Sequence, residues 1–202
     1  KPIILSTGAS TLNEVKEAVN VIKGTGNEQI ILLQCTLHYP CKYDEVHINA
    51  MKTLISEFPE HVIGLSDHSL GTLVPIVAAA NGAQVIEKHF TIDKTLKQST
   101  DHFISVDPEE LKEMVENIKK IPDIMGRSMK QPDPSEELAR LYARRSVTTT
   151  QKIYKGELIT EENTMCRRSE TGISPVHYRD ILFKKAKKDI DEECPLEWNV
   201  LE

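Results

Sequence analysis

Apolar and polar positions follow two distinct rhythms along this chain. Ile3-Ile4-Leu5-Ser6, Ile30 to Cys35, Val62 to Ser66 and Val85 to Phe90 are short, nearly continuous apolar runs. Such runs predict strands, and the continuous one from Ile30 to Cys35 is of the kind buried on both faces of a sheet. Between them, apolar residues recur every three or four positions. Leu12, Val15, Val19 and Ile22 follow Thr11, which fits a capping box with Glu14, and Gly24 and Gly26 supply a stop. Met51, Leu54, Ile55 and Phe58 form the inward stripe of a second helix, from about His47 to Phe58. Pro75 fits the first turn of a third, which runs to Ala80 and closes at Asn81-Gly82. Asp107 caps a fourth, with Pro108 at its first position and Leu111, Met114, Val115 and Ile118 inside. Right-handed crossovers turn four such strand-helix units into a parallel sheet with helices outside. The periodicity fits a small open sheet and half of an eightfold barrel equally well.

The rhythm changes after the fourth helix. Gln131-Pro132-Asp133-Pro134-Ser135-Glu136-Glu137 is a polar, proline-containing linker. Arg145 to Thr150 and Lys152 to Ile159 are short β-prone runs around a Lys155-Gly156 turn, Ser174 to Ile181 predicts a short helix, and Lys184 to Ile190 predicts another strand. A small β-rich module therefore follows the first domain. The boundaries read as 1–128, a linker over 129–143, and 144–202.

Composition narrows the function classes. The 202 residues are 39% hydrophobic and 28% charged, ordinary for a globular protein. A net charge of -6 argues against nucleic acid or an anionic membrane as the main partner. No stretch approaches the roughly 18 apolar residues of a membrane span, and Lys1-Pro2-Ile3 does not open a signal peptide. Cys35, Cys41, Cys166 and Cys194 lack CxxC spacing, so reduced thiols in a cytoplasmic protein are expected. The chain lacks an initiating Met and reads as part of a longer polypeptide.

Two segments carry the candidate chemistry, Gly64-Leu65-Ser66-Asp67-His68 and Val85-Ile86-Glu87-Lys88-His89-Phe90. Residues two apart on a strand share a face, so Ser66 aligns with His68 and Glu87 with His89. On parallel neighbours, both histidines reach the carboxyl end of the sheet, where α/β folds keep their active sites. Paired imidazoles there point to a metal centre. Lys88 alternates away from the face of His89.

The chain resembles the C-terminal part of the N-acetylneuraminate (sialic acid) synthase family, with its legionaminate and spore-coat relatives. The resemblance rests on Ser6-Thr7-Gly8, Leu32-Leu33-Gln34-Cys35-Thr36 with Tyr39-Pro40, the two histidine segments, Asp101-His102, Ala143-Arg144-Arg145-Ser146, and Arg167-Arg168 with Thr171-Gly172-Ile173-Ser174. It implies an α/β fold: the last four βα units of a (β/α)8 TIM barrel, followed by a small antifreeze-like SAF domain. It implies an enzyme that condenses phosphoenolpyruvate with an N-acetylated amino sugar such as N-acetylmannosamine, with phosphate leaving by C–O cleavage. The implied cofactor is a divalent metal, Mn²⁺ before Mg²⁺ or Co²⁺, held by His68 and His89. Glu87 would hold sugar hydroxyls or assist proton transfer, Ser66 and Ser6 would face phosphoenolpyruvate, and Tyr39 and Asp101 the amino sugar. Arg168 would reach from the SAF domain into a partner's barrel to recognise the N-acetyl group, making the enzyme a domain-exchanged homodimer.

Three departures from the family pattern stand out. Leu37 replaces a small polar residue near the phosphate and cannot donate a hydrogen bond there, a role left vacant or filled by His38. Ser169-Glu170 replaces Pro-Gly after the arginine, and Lys97-Gln98-Ser99-Thr100 precedes Asp101 in place of a Pro-Gly-rich approach. The family's phosphate-binding lysines and a further glutamate lie in its first half, so this chain alone is expected to have little synthase activity. Two other classes compete: a non-catalytic carbohydrate-binding or assembly module, and another metal-dependent barrel aldolase.

Overall fold

Strands β1 (Ile3–Ser6), β2 (Ile30–Cys35), β3 (Val62–Asp67) and β4 (Val85–Lys88) lie side by side, all parallel and in sequential order. They belong to the first of two compact units, Lys1–Arg127 and Ser128–Glu202, in a computed structural model that describes residues 1–99, 101–169 and 171–202. Helices α1 (Leu12–Gly24), α2 (Ile48–Glu57) and α3 (Leu73–Ala80) connect successive strands; the short α4 (Asp101–Ile104) and the long α5 (Pro108–Met125) follow β4. The capping signals are realised. Thr11 accepts from the Glu14 amide while Glu14 accepts from the Thr11 amide, and Asp107 accepts from the Glu109 and Glu110 amides.

Alternation along each strand divides the sheet into two unlike faces. The row Leu5, Leu32, Ile63 meets Val15 and Val19 of α1 and Met51 and Leu54 of α2, with Phe58 just beyond it. Leu65 packs beneath Val74 and Ala78 of α3. Leu32 and Met51 are fully buried, and each such side chain contributes about 1.5–3 kcal/mol relative to an exposed one. The opposite face carries Ile4, Ser6, Ile31, Leu33, Cys35, Val62, Gly64, Ser66, Val85 and Glu87. Here Ile4 stays 55% and Val62 37% exposed. Leu33 escapes water on this face by lying over Gly64, where an added Cβ would sit 2.8 Å from Leu33 Cδ2 and collide with the Val85 carbonyl oxygen.

The fourth strand is shorter than its apolar run predicts. β4 ends at Lys88, and the chain then changes partner: the Val106 amide donates to the His89 carbonyl, and Phe90 bridges Val106. On the β3 side, the Cys41 amide donates to the His68 carbonyl and Ser69 bridges Cys41. The two strand ends therefore part company just where their histidines stand.

In the second unit, α6 (Glu137–Ala143) leads into β5 (Arg145–Thr149), which pairs antiparallel with β6 (Thr164–Arg168); α7 (Tyr178–Ile181) follows a 3-10 turn at Pro175–His177. The predicted strands at Lys152–Ile159 and Lys184–Ile190 are replaced by single bridges, Ile153 to Ile190 and Leu158 to Lys185. Left-handed backbone at Gly156 and Phe183 bends those segments before a ladder can extend. Their apolar residues still point inward: Val147, Ile153, Ile159, Ile173, Ile181 and Leu196 form a separate core. The sequence pattern does not predict β6, because Met165-Cys166-Arg167-Arg168 has no clean alternation. Among the described residues, no helix is long and apolar enough to cross a membrane.

Candidate metal and substrate site

His68 follows the last residue of β3 and His89 the last residue of β4, so both imidazoles stand at the carboxyl edge of the exposed sheet face. Their ring centroids are 5.4 Å apart. Tyr39, from the segment after β2, stacks at 4.0 Å on His68 and meets His89 edge-on at 5.8 Å. His68 Nδ1 lies 2.9 Å from the Thr36 carbonyl oxygen. A carbonyl only accepts, so Nδ1 carries a proton and Nε2 is the nitrogen left to face a ligand. A neutral, oriented imidazole with one free nitrogen is the form that ligates metal.

One row below, Ser66 donates to Glu87 Oε1 at 2.7 Å. Ser66 is buried and Glu87 is exposed, so the buried hydroxyl fixes one carboxylate oxygen while the other looks outward. Ser66, Asp67, Glu87, Lys88 and His89 line an open cavity of about 290 Å³. A larger one, about 680 Å³, opens between the β1–α1 and β2–α2 connections and includes Thr7, Gln34, Thr36, Leu37 and His47. Of the candidate groups, Ser66, Glu87 and His89 line the smaller cavity and none lines the larger.

Burial raises the Tyr39 phenol pKa, and electrostatic repulsion from neighbouring acidic groups, Asp101 and Glu87 among them, adds to the effect. At neutral pH Tyr39 is thus a hydrogen-bond donor within the field of both Glu87 and Asp101. Asp101 opens α4, and its amide donates to Ser99 Oγ at 3.1 Å. Ser6 ends β1 opposite Leu33, exposed on the same face but two strands away from Ser66. Arg168 belongs to the second unit, exposed at the end of β6 and opposite Arg145. Its neighbour Arg167 instead pairs with Glu193 at 2.5 Å. The structure thus gathers His68, His89, Tyr39, Ser66 and Glu87 closely and places Asp101 within their field.

Leu37 is 60% exposed and offers no donor. His38 Nδ1 is bound to Glu45 Oε2 at 2.6 Å, and this bond is the leading cause that holds the Glu45 carboxyl below its usual pKa. Ser169 donates its amide to the Arg144 carbonyl at 3.4 Å; Glu170 beside it, like Thr100 before Asp101, lies outside the described residues.

The donor set fits a divalent ion in part. Two imidazoles converge, one with its Nδ1 bound to the Thr36 carbonyl, but among the described residues no cluster of three or more His, Cys, Asp or Glu side chains could hold a metal. Two protein donors leave the remaining positions to water and substrate oxygens. Sequence reasoning missed three groups beside this pair: the Thr36 carbonyl, which has no sequence signal, and Asp67 and Lys88, whose signal was the repeated charge-His pattern of Asp67-His68 and Lys88-His89. Lys88 does turn away from the face of His89, and its ammonium meets Asp67 Oδ2 at 2.6 Å in an almost fully buried pair.

Residues 1–130 match the NeuB family, and residues 144–202 match the SAF domain. The chain is 45% identical over 201 residues to an uncharacterized protein of Methanocaldococcus jannaschii, covering all of this chain and 59% of that one. It is 38% identical over 205 residues to the N,N'-diacetyllegionaminic acid synthase of Legionella pneumophila, covering all of this chain and 57% of the relative. The crystal structure of the Bacillus subtilis spore coat polysaccharide biosynthesis protein SpsE matches with a TM-score of 0.59 at 34% identity, over all of this chain and 61% of that one. The chain thus spans less than three fifths of the length of the two curated relatives.

Proposed function

The chain belongs to the NeuB family, and from that premise we propose that it forms the last four βα units of a (β/α)8 barrel, with its SAF domain, in a nonulosonic acid synthase. The reaction proposed is condensation of phosphoenolpyruvate with an N-acetylated amino sugar such as N-acetylmannosamine, releasing phosphate in the cytoplasm. The observation that carries the proposal is the pairing of His68 and His89 above the bonded Ser66 and Glu87, on a sheet face where Ile4 and Val62 remain exposed.

A divalent ion, Mn²⁺ first among the candidates, would be held by His68 and His89 and would supply Lewis-acid polarisation of the sugar's aldehyde oxygen. The chain's own groups do the rest. Ser66 fixes Glu87 through one oxygen, leaving the other to take a sugar hydroxyl or its proton. Tyr39, held neutral, donates its O–H to a sugar oxygen, and Asp101 accepts from another sugar hydroxyl. Ser6 and Ser66 offer hydroxyls toward phosphoenolpyruvate. Arg168 of a second subunit, with its rigid fork of donors, recognises the N-acetyl carbonyl in a domain-exchanged homodimer.

The test is to incubate the chain with phosphoenolpyruvate, Mn²⁺ and a panel of mono- and di-N-acetylated amino sugars, alone and with the first half of a barrel supplied from the Legionella relative. Phosphate release and a nonulosonic acid product, read by mass spectrometry, are expected only in the complemented sample. Substantial product from the chain alone would contradict the half-site reading. A folded, complemented barrel that binds sugar but forms no product would favour a carbohydrate-binding module instead.

A further inference from the structure

We propose that the buried Asp67–Lys88 ion pair is the positioning device that holds His68 and His89 at their mutual spacing. Asp67 and Lys88 form the last rung of the β3–β4 ladder, and each immediately precedes one histidine. Beyond that rung the backbones of the two strand ends turn to other partners. His68 is drawn toward Cys41 and His89 toward Val106, so their peptide groups point to different neighbours. The tie across the gap is made by side chains on the opposite, helix-covered face.

That tie grips His68 from both sides. Lys88 Nζ donates to Asp67 Oδ2 at 2.6 Å and also to the Ser69 carbonyl oxygen. Asp67 in turn accepts from the Ser69 amide at 2.9 Å and from Ser69 Oγ at 3.0 Å, closing an Asx turn around His68. One ammonium, rooted in β4 next to His89, thus fixes the residues before and after His68. The side chains of Lys88 and Asp67 are 3% and 1% exposed. At that burial the pair is weak evidence for stability, since a well-packed apolar pair often replaces one without cost. Its geometric consequence is specific: it sets where two imidazoles point on the other face of the sheet. The consequence for metal rests on the function proposed above; the spacing of the rings does not.

The variant Asp67→Asn/Lys88→Met keeps the turn's acceptor and fills the lysine's volume while cutting the cross-strand tie. It is compared with wild type and with Leu54→Ala, a control in the helix-packed core of the same unit that leaves the Asp67–Lys88 pair intact. In the metal-free chain, nuclear Overhauser signals between the His68 and His89 rings are expected in wild type and Leu54→Ala, and absent in the double variant. In Mn²⁺ titrations, the double variant is expected to bind about tenfold or more weakly, the usual penalty when an outer partner of a ligand is removed. Ring signals that persist unchanged in the folded double variant overturn the proposal. Wild type that shows the signals but binds no Mn²⁺ overturns the metal reading alone, and the signals still decide the positioning role. Should Asp67→Asn/Lys88→Met fail to fold, the fully apolar Asp67→Leu/Lys88→Met carries the same two readouts.

Discussion

Gly64 shows how tightly one position can be constrained by the site it supports. It lies on the same face as Ser66, two residues earlier, with the Val85 carbonyl oxygen where a Cβ would need room. That oxygen is backbone and cannot swing aside, so Gly64→Ala must push β4 away from β3. We expect a loss of about 3 kcal/mol or more in urea unfolding, at or beyond the upper end of overpacking penalties. Retention of wild-type stability would show that the strands can separate without cost. Tyr39 gives a second prediction at this scale. Its raised pKa means that the phenol ionises later than a free tyrosine, with burial the leading cause. The absorbance difference between wild type and Tyr39→Phe should therefore titrate above the ordinary value of 10.0. For an acid with a raised folded-state pKa the linkage is unfavourable at high pH, so Tyr39→Phe should lose less stability than wild type as pH climbs through that range.

Elements are the most legible level of this protein. The capping boxes at Thr11 and Asp107 are written in residue types at fixed spacing, and both form in the structure. Asp107→Ala should cost about 1 kcal/mol, the usual worth of an N-cap, measured by thermal unfolding. At α1, the Glu14 carboxyl is held below its ordinary pKa, first by the Thr11 amide and then by the Thr11 hydroxyl. Its contribution is present above the ordinary value of 4.5 and fades as pH falls through the lower folded-state value. A Glu14→Gln chain should therefore show a flatter stability profile across that acidic window. Boundaries are less legible where tertiary partners decide them. Nothing in Val85 to Phe90 says that pairing with β3 stops at Lys88, because the stop comes from Val106, well downstream, capturing the chain. In the second unit the alternation at Ile153 and Ile190 correctly marks inward residues. It cannot reveal that left-handed turns limit their pairing to single bridges.

At the scale of the whole molecule, each of the two units has apolar packing of its own. Leu196 is fully buried in the second core and Leu32 in the first. Leu196→Ala should cost about 2–5 kcal/mol and lower hydrogen-exchange protection at β5 and β6 while leaving β2 and β3 unchanged. Protection reduced equally in both units would contradict that separation. The candidate site is legible as far as alternation and strand order reach, which brings Ser66, His68, Glu87 and His89 to one face. The fixing of His68 by the Thr36 carbonyl and the Asp67–Lys88 tie depends on loop paths and on the buried face, and neither has a period to read. If this face belongs to a synthase of the proposed kind, it serves to break the C–O bond of phosphoenolpyruvate. That bond can be followed by supplying phosphoenolpyruvate labelled with oxygen-18 at the bridging position to the complemented barrel, with Mn²⁺ and the amino sugar. The label is expected to leave in inorganic phosphate as nonulosonic acid forms. Label retained in the organic product, or phosphate released without condensation, would contradict the synthase reading.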